Sequence, residues 1–107
     1  MESEDMMMVK HVILWQLKDE YSAEQKAEIK AGIKANLEGL QGKIPGLLEI
    51  KVNIDPLASS NVDLMLDSSF ESEEALKGYS VHPEHVKVAD GYVRPYTKSR
   101  SCLDFEV

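Results

Sequence analysis

Hydrophobic and polar positions recur along this chain at two spacings, one close to two residues and one close to three and a half. Val9 to Leu17 is rich in β-branched and aromatic residues and alternates, with His11, Ile13, Trp15 and Leu17 on one side and Val12, Leu14 and Gln16 on the other. This predicts a strand. Both of its faces are largely apolar, so each is expected to be covered. Ser22 followed by Gln25 reads as a capping box opening a helix over 22–41, whose apolar stripe is Ile29, Ile33, Leu37 and Leu40. Gly32 and Gly39 each cost that helix about 1 kcal/mol relative to alanine, so packing must hold it.

Gly42 to Gly46, with Pro45, predicts a turn. A second strand is expected over Leu47 to Ile54 with Leu48, Ile50, Val52 and Ile54 on one face. Asp55 to Asn61 is a loop, and Val62 to Phe70 a third strand with Val62, Leu64 and Leu66 on one side and Asp63, Met65 and Asp67 on the other. Ser72 caps a short helix carrying Ala75, Leu76 and Tyr79. Thr97 to Val107 closes as a last strand with Leu103 and Phe105 facing one way. The order β-α-β-β-α-β is the split βαβ plan of a ferredoxin-like α+β fold, with helices on one face of a four-stranded antiparallel sheet. The other face keeps Val12 and Leu14 and needs a cover, which a second copy would supply. A two-fold homodimer is therefore expected.

The candidate chemistry concentrates between Gly78 and Tyr96, which holds two of the three histidines and three of the four tyrosines. Pro83 suits the first turn of a helix, making His82 its N-cap, while Pro95 limits that helix and is expected to push Arg94 out of the α region. His85, Ala89 and Tyr92 then share one face, and Tyr79 reaches the same space if the chain turns at Ser80 and Val81. The positive end of the helix disfavours an imidazolium at His85, and a neutral imidazole can accept a proton. Tyr79 can donate to a developing oxyanion. His85 and Tyr79 are thus the catalytic candidates. In the competing reading His85 bonds a backbone carbonyl and Tyr79 fills space. A metal reading of His82, Glu84 and His85 is disfavoured because their spacing spreads them around the helix start, so no metal is expected. Asp63 and Asp67 read as a partly solvated sheet rim, and Cys102, with only Arg100 as a basic neighbour on its strand face, reads as an inert thiol. No phosphate-cradling glycine loop and no Ser/His/Asp signature occurs.

Composition narrows the classes further. The chain has 107 residues and a net charge of −7, which argues against nucleic acid or an anionic membrane as its main partner. No apolar run approaches the roughly 20 residues of a membrane span. Residues 1–8 read as a mobile acidic tail rather than a signal peptide, and residues 9–107 as one domain. The single cysteine fits a reducing cytoplasm.

Three segments together carry a family resemblance: Lys10 to Lys18, Ser69 to Ser72, and the Tyr-x-x-His-Pro-x-His run from Tyr79 to His85. They resemble the stress-responsive dimeric α/β-barrel (Dabb) family over nearly the whole chain after the tail. The resemblance implies a protomer that pairs its sheet with another to form a dimeric α+β barrel, with a pocket between sheet and helices. Some plant members look like polyketide cyclases, in which the base and its tyrosine partner fall on His85 and Tyr79. His11 matches a histidine at the start of the family's first strand. The pocket is expected to be lined by His11, Ile13, Trp15, Ile33, Tyr92 and Tyr96 and to take a small apolar or aromatic ligand, with no cofactor. The alternative is a non-catalytic stress-responsive or structural oligomerisation module, marked by a pocket filled with Trp15, Tyr92 and Tyr96. A haem- or oxygen-dependent monooxygenase is a weaker third reading, for want of a cofactor signature.

Overall fold

Strand β1 (Val9–Leu17) lies at the centre of the sheet in the computed structural model, which describes residues 8–107. It pairs antiparallel with β3 (Leu64–Phe70) on one side and β4 (Thr97–Glu106) on the other, and β2 (Leu47–Asn53) pairs antiparallel with β3. The strand order is β2-β3-β1-β4. With helices α1 (Ala23–Glu38), α2 (Glu73–Val81) and α3 (Pro83–Val88), this is the expected ferredoxin-like α+β plan. The reading of 1–8 as a tail falls, except for Met8, outside the described residues. Met8 and Val107 exchange backbone hydrogen bonds.

The alternation of β1 decides what the helices cover. Val9, His11, Ile13, Trp15 and Leu17 are all buried, while the residues between them are only partly covered. The buried set packs with Ile33 and Leu37 of α1, Leu76 and Tyr79 of α2, and Val88 and Val93 beyond them. On the opposite face the registers Val12↔Leu103, Leu14↔Met65 and Lys10↔Phe105 place five apolar side chains together. Leu103 and Phe105 there are 64% and 40% exposed.

Several local expectations hold and several do not. Ser22 and Gln25 form both halves of the capping box. The helix stops at Glu38 rather than 41, yet Leu40 remains buried because the chain continues in tight turns. In β2 the pairing register shifts between Leu47 and Glu49, so Leu47 turns inward and Leu48 outward. A bulge of this kind offsets a two-residue alternation by one. Strand β3 starts at Leu64, not Val62.

Strand β2 is an edge, and α1 caps part of it. The Glu38 carboxylate accepts from the Val52 N–H at 2.9 Å, while Lys34 Nζ donates to the Val52 carbonyl at 2.8 Å. The hydrogen bond from Lys34 holds the Glu38 carboxyl below the usual carboxylate range. Two backbone groups that would otherwise template a further strand are thereby occupied.

The turn into β2 depends on two glycines with positive φ, 85° at Gly42 and 80° at Gly46. A Cβ at Gly46 would lie 2.5 Å from the Cβ of Ala75, whereas one at Gly42 meets nothing within 4 Å. Gly42→Ala is expected to lose about 1 kcal/mol through backbone strain alone, and Gly46→Ala about 2–4 kcal/mol because α2 must also move. Urea unfolding midpoints of the two variants measure the difference.

Candidate functional site

The helix layer breaks at His82, and the break brings the chemistry together. Pro83 has no N–H to continue α2, and it biases the preceding residue to extended backbone. His82 accordingly sits at φ −66°, ψ 133°. Its N–H donates to the Tyr79 carbonyl, its own carbonyl accepts from Val86, and its Nδ1 accepts the Glu84 N–H at 3.1 Å. One residue thus ends α2 and caps α3, as its place before proline implies. The ring centroids of Tyr79 and His85 end up 4.1 Å apart, tilted by 36°.

Beyond α3 the backbone widens into a π-helical turn over Ala89–Val93, closed by the Arg94 N–H donating to the Ala89 carbonyl. This changes which residues face inward. With more residues per turn, Val93 takes the buried position and Tyr92 is left 45% exposed. Pro95 does not push Arg94 out of the α region. Arg94 is helical at φ −58°, ψ −39°, and a short 3₁₀ turn over Arg94–Tyr96 carries the proline near its start, where a missing N–H costs little.

A cavity of about 90 Å³ lies between the sheet and this segment. His11, Ile13 and Trp15 of β1 line it together with Tyr79, His85, Val93, Arg94 and Arg100. The other expected pocket residues lie elsewhere. Ile33 is fully buried in the core. Tyr92 and Tyr96 line a separate open cleft over α1 with Tyr21, Glu28 and Gly32, so they do not fill the cavity.

His85 is half-buried, and its Nδ1 lies 3.3 Å from the Ser80 carbonyl. A carbonyl only accepts, so Nδ1 carries the proton and Nε2 keeps its lone pair. Burial, with the charges of Arg94, His11 and Arg100 adding to it, holds the His85 pKa below its ordinary 6.5 even though the Ser80 bond opposes the shift. The neutral imidazole expected from the helix start is therefore favoured mainly by burial. Tyr79 is 1% exposed, with its ring 4.9 Å from Phe70 and 6.0 Å from His11. Its hydroxyl is buried without a hydrogen-bond partner, and burial pushes its pKa well above the usual phenol range. Tyr79 is thus a neutral donor held in reserve. It stacks on His85 rather than bonding to it.

His11 Nδ1 meets Asp104 Oδ1 at 2.5 Å, and Ser68 Oγ donates to the His11 carbonyl at 2.9 Å. Cys102 Sγ lies 3.5 Å from the same Asp104 oxygen and 3.9 Å from His11 Nδ1. Burial first, then Asp104, pushes the Cys102 thiol up, in keeping with an unreactive sulfur. Among the described residues, His11, Cys102 and Asp104 are the trio whose donor atoms fall within metal-ligand reach of one another. His82, Glu84 and His85 are not brought together in that way. Asp104, Arg94 and Arg100 were absent from the sequence expectation for the site. The signal for two of them is the alternation of β4, which puts Arg100, Cys102 and Asp104 on the face opposite Leu103 and Phe105.

The depressed His85 pKa has a consequence for stability. The unfolded chain binds a proton at a higher pH than the folded one, so stability rises with pH across the gap between the two pKa values. The contribution is complete above about pH 6.5 and is lost as pH falls toward the folded value. NMR titration should place the His85 midpoint below 6.5, and His85→Gln should remove this part of the pH dependence of melting.

Comparison with known proteins fits this architecture. No curated protein matches the chain. Among solved structures, a dimeric protein of unknown function from Bacteroides fragilis is 31% identical, with 94% of this chain and 96% of that one covered and a TM-score of 0.87. Two enzymes share the fold at lower identity. The hydroxynitrile lyase of Passiflora edulis is 19% identical, covering 94% and 93% with a TM-score of 0.72. The cofactor-independent oxygenase SnoaB of Streptomyces nogalater is 13% identical, covering 92% and 90% with a TM-score of 0.69. Residues 9–107 match the stress responsive A/B barrel domain, and the chain belongs to that Dabb family.

Proposed function

We propose that this chain is a cytoplasmic homodimer that binds a small molecule in the His11–Tyr79–His85 cavity and carries out cofactor-free acid–base chemistry on it. One observation carries the reading: a neutral imidazole with a free Nε2 stacked on a buried, unpartnered tyrosine hydroxyl, both lining one cavity. An unsatisfied buried hydroxyl costs about 1–3 kcal/mol. A residue filling space alone would be served better by phenylalanine.

The chemistry follows from the two groups. His85 Nε2 removes a proton from carbon beside a carbonyl, and the electron pair moves onto the carbonyl oxygen. The Tyr79 hydroxyl donates to that oxygen as its charge grows. The same pair, run in reverse, returns the proton to carbon or to a leaving group, which is the common step of isomerases, lyases and cyclases. The lyase and the cofactor-independent oxygenase among the structural neighbours support the idea that this fold can house an enzyme. A volume of about 90 Å³ limits the buried part of the ligand to a few heavy atoms. A larger aromatic or polyketide-like ligand would have only one end inside.

The test is deuterium uptake at the α-carbon of small ketones in D₂O, followed by NMR. His85→Ala should lower the catalysed rate by about 10²–10⁴ and Tyr79→Phe by about 10²–10³. Neither should lower stability much, and Tyr79→Phe should unfold at an equal or higher urea concentration. A large stability loss with no rate effect would return both residues to the core and favour the oligomerisation module.

The homodimer rests on the uncovered sheet face of Val12, Leu14, Met65, Leu103 and Phe105, and on the dimeric state of the Bacteroides fragilis neighbour. Sedimentation should give twice the 12.0 kDa chain mass, and Leu103→Glu should give the single-chain mass. A native chain that stays monomeric at micromolar concentration overturns it.

A further inference from the structure

One cation beside the cavity of this acidic protein has no acid paired with it among the described residues. Aspartate and glutamate outnumber lysine and arginine by 19 to 12, yet the cavity wall holds two histidines and two arginines and neither carboxylate. The two arginines differ. Arg94 is paired with Asp90 one turn away. Arg100 has no ion-pair partner among the described residues. It stands opposite Trp15 in the β1–β4 register, on the helix side of the sheet. The nearest acid on its own face, Asp104, is engaged by His11. An exposed guanidinium with no ion-pair partner thus lines a small cavity beside a buried hydroxyl that has a proton to give and no acceptor.

Resting on the acid–base reading above, we propose that the substrate is a small oxo acid: its carboxylate is held by the Arg100 guanidinium, and its carbonyl oxygen accepts from the Tyr79 hydroxyl. The planar guanidinium fork matches a carboxylate in two parallel hydrogen bonds, fixing its orientation as a single charge would not. With the carboxylate anchored at the mouth and the carbonyl on Tyr79, the carbon between or beyond them faces the base. The cavity volume suits a molecule of this size. Arg100 is a binding residue in this scheme, and Arg94, already neutralised by Asp90, contributes little.

Pyruvate and its neutral amide, pyruvamide, test the proposal, with binding read from the shifts of the His85 ring and Tyr79 signals. Pyruvate should bind at least about tenfold more tightly than pyruvamide, and Arg100→Gln should erase that preference. Arg100→Lys should recover part of it. Arg100 is exposed on an edge strand, so the variants should fold, which thermal melting checks. Equal binding of the two probes, or undiminished pyruvate binding by Arg100→Gln, overturns the oxo-acid assignment while leaving a small-molecule site in place. If neither probe binds but neutral ketones still exchange deuterium, the assignment again fails alone. Loss of both binding and exchange removes the acid–base reading as well.

Discussion

The two-residue alternation of β1, held between antiparallel partners on both sides, sets the position of nearly every group around the cavity. Because the strand is central, its register is copied outward. His11 fixes Asp104 and Ser68 opposite it, and Trp15 fixes Arg100 and Leu64. A slip by one residue would exchange the buried set for Lys10, Val12, Leu14 and Gln16 and dismantle core and cavity together. The burial of Ile13, Leu17 and Phe70 is what makes such a slip costly. Packing energy spent in the core therefore buys geometric definition at the site.

The helix layer imposes a second constraint of a different kind. Nothing in α2 or α3 alone brings Tyr79 and His85 together; the bend at His82 does. That bend is enforced covalently by Pro83 and satisfied locally by the His82 side chain, so it needs little help from the core. The cavity thus combines a sheet wall defined by long-range pairing with a helix wall set by the local bend at His82 and Pro83. The electrostatics follow from the same arrangement. Burial keeps the His85 ring neutral, and guanidinium groups on two other elements reinforce it.

Much of this is legible in the chain, and the exceptions have physical reasons. Capping by Ser22, Ser72 and His82 depends on contacts within three residues, and sequence spacing describes such contacts well. The inward face of β1 follows from its alternation. Leu48 is misplaced because a bulge is a property of pairing with β3, not of β2 itself. Tyr92 is misplaced because helical spacing assumes a constant turn, and the turn after Ala89 is wider. Arg100 and Asp104 become site residues only once β4 is laid beside β1, a neighbour some 90 positions away in the chain. The stacking of Tyr79 on His85 and the missing partner for its hydroxyl belong to the same class, since spacing can predict proximity but not satisfaction.

The π-helical turn carries an implication for how such a cavity diversifies. Its extra residue acts as a phase shifter: every side chain from Val93 to the start of β4 is rotated relative to an uninterrupted α-helix. Val93 faces the interior in this phase, the exposed Arg94 borders the cavity, and a bulky tyrosine is turned to the outside. Lengthening or shortening that single loop of backbone would exchange the lining wholesale without replacing any amino acid. Turn width here helps decide which side chains line the cavity, as heritable as side-chain identity and invisible to a position-by-position comparison of residues.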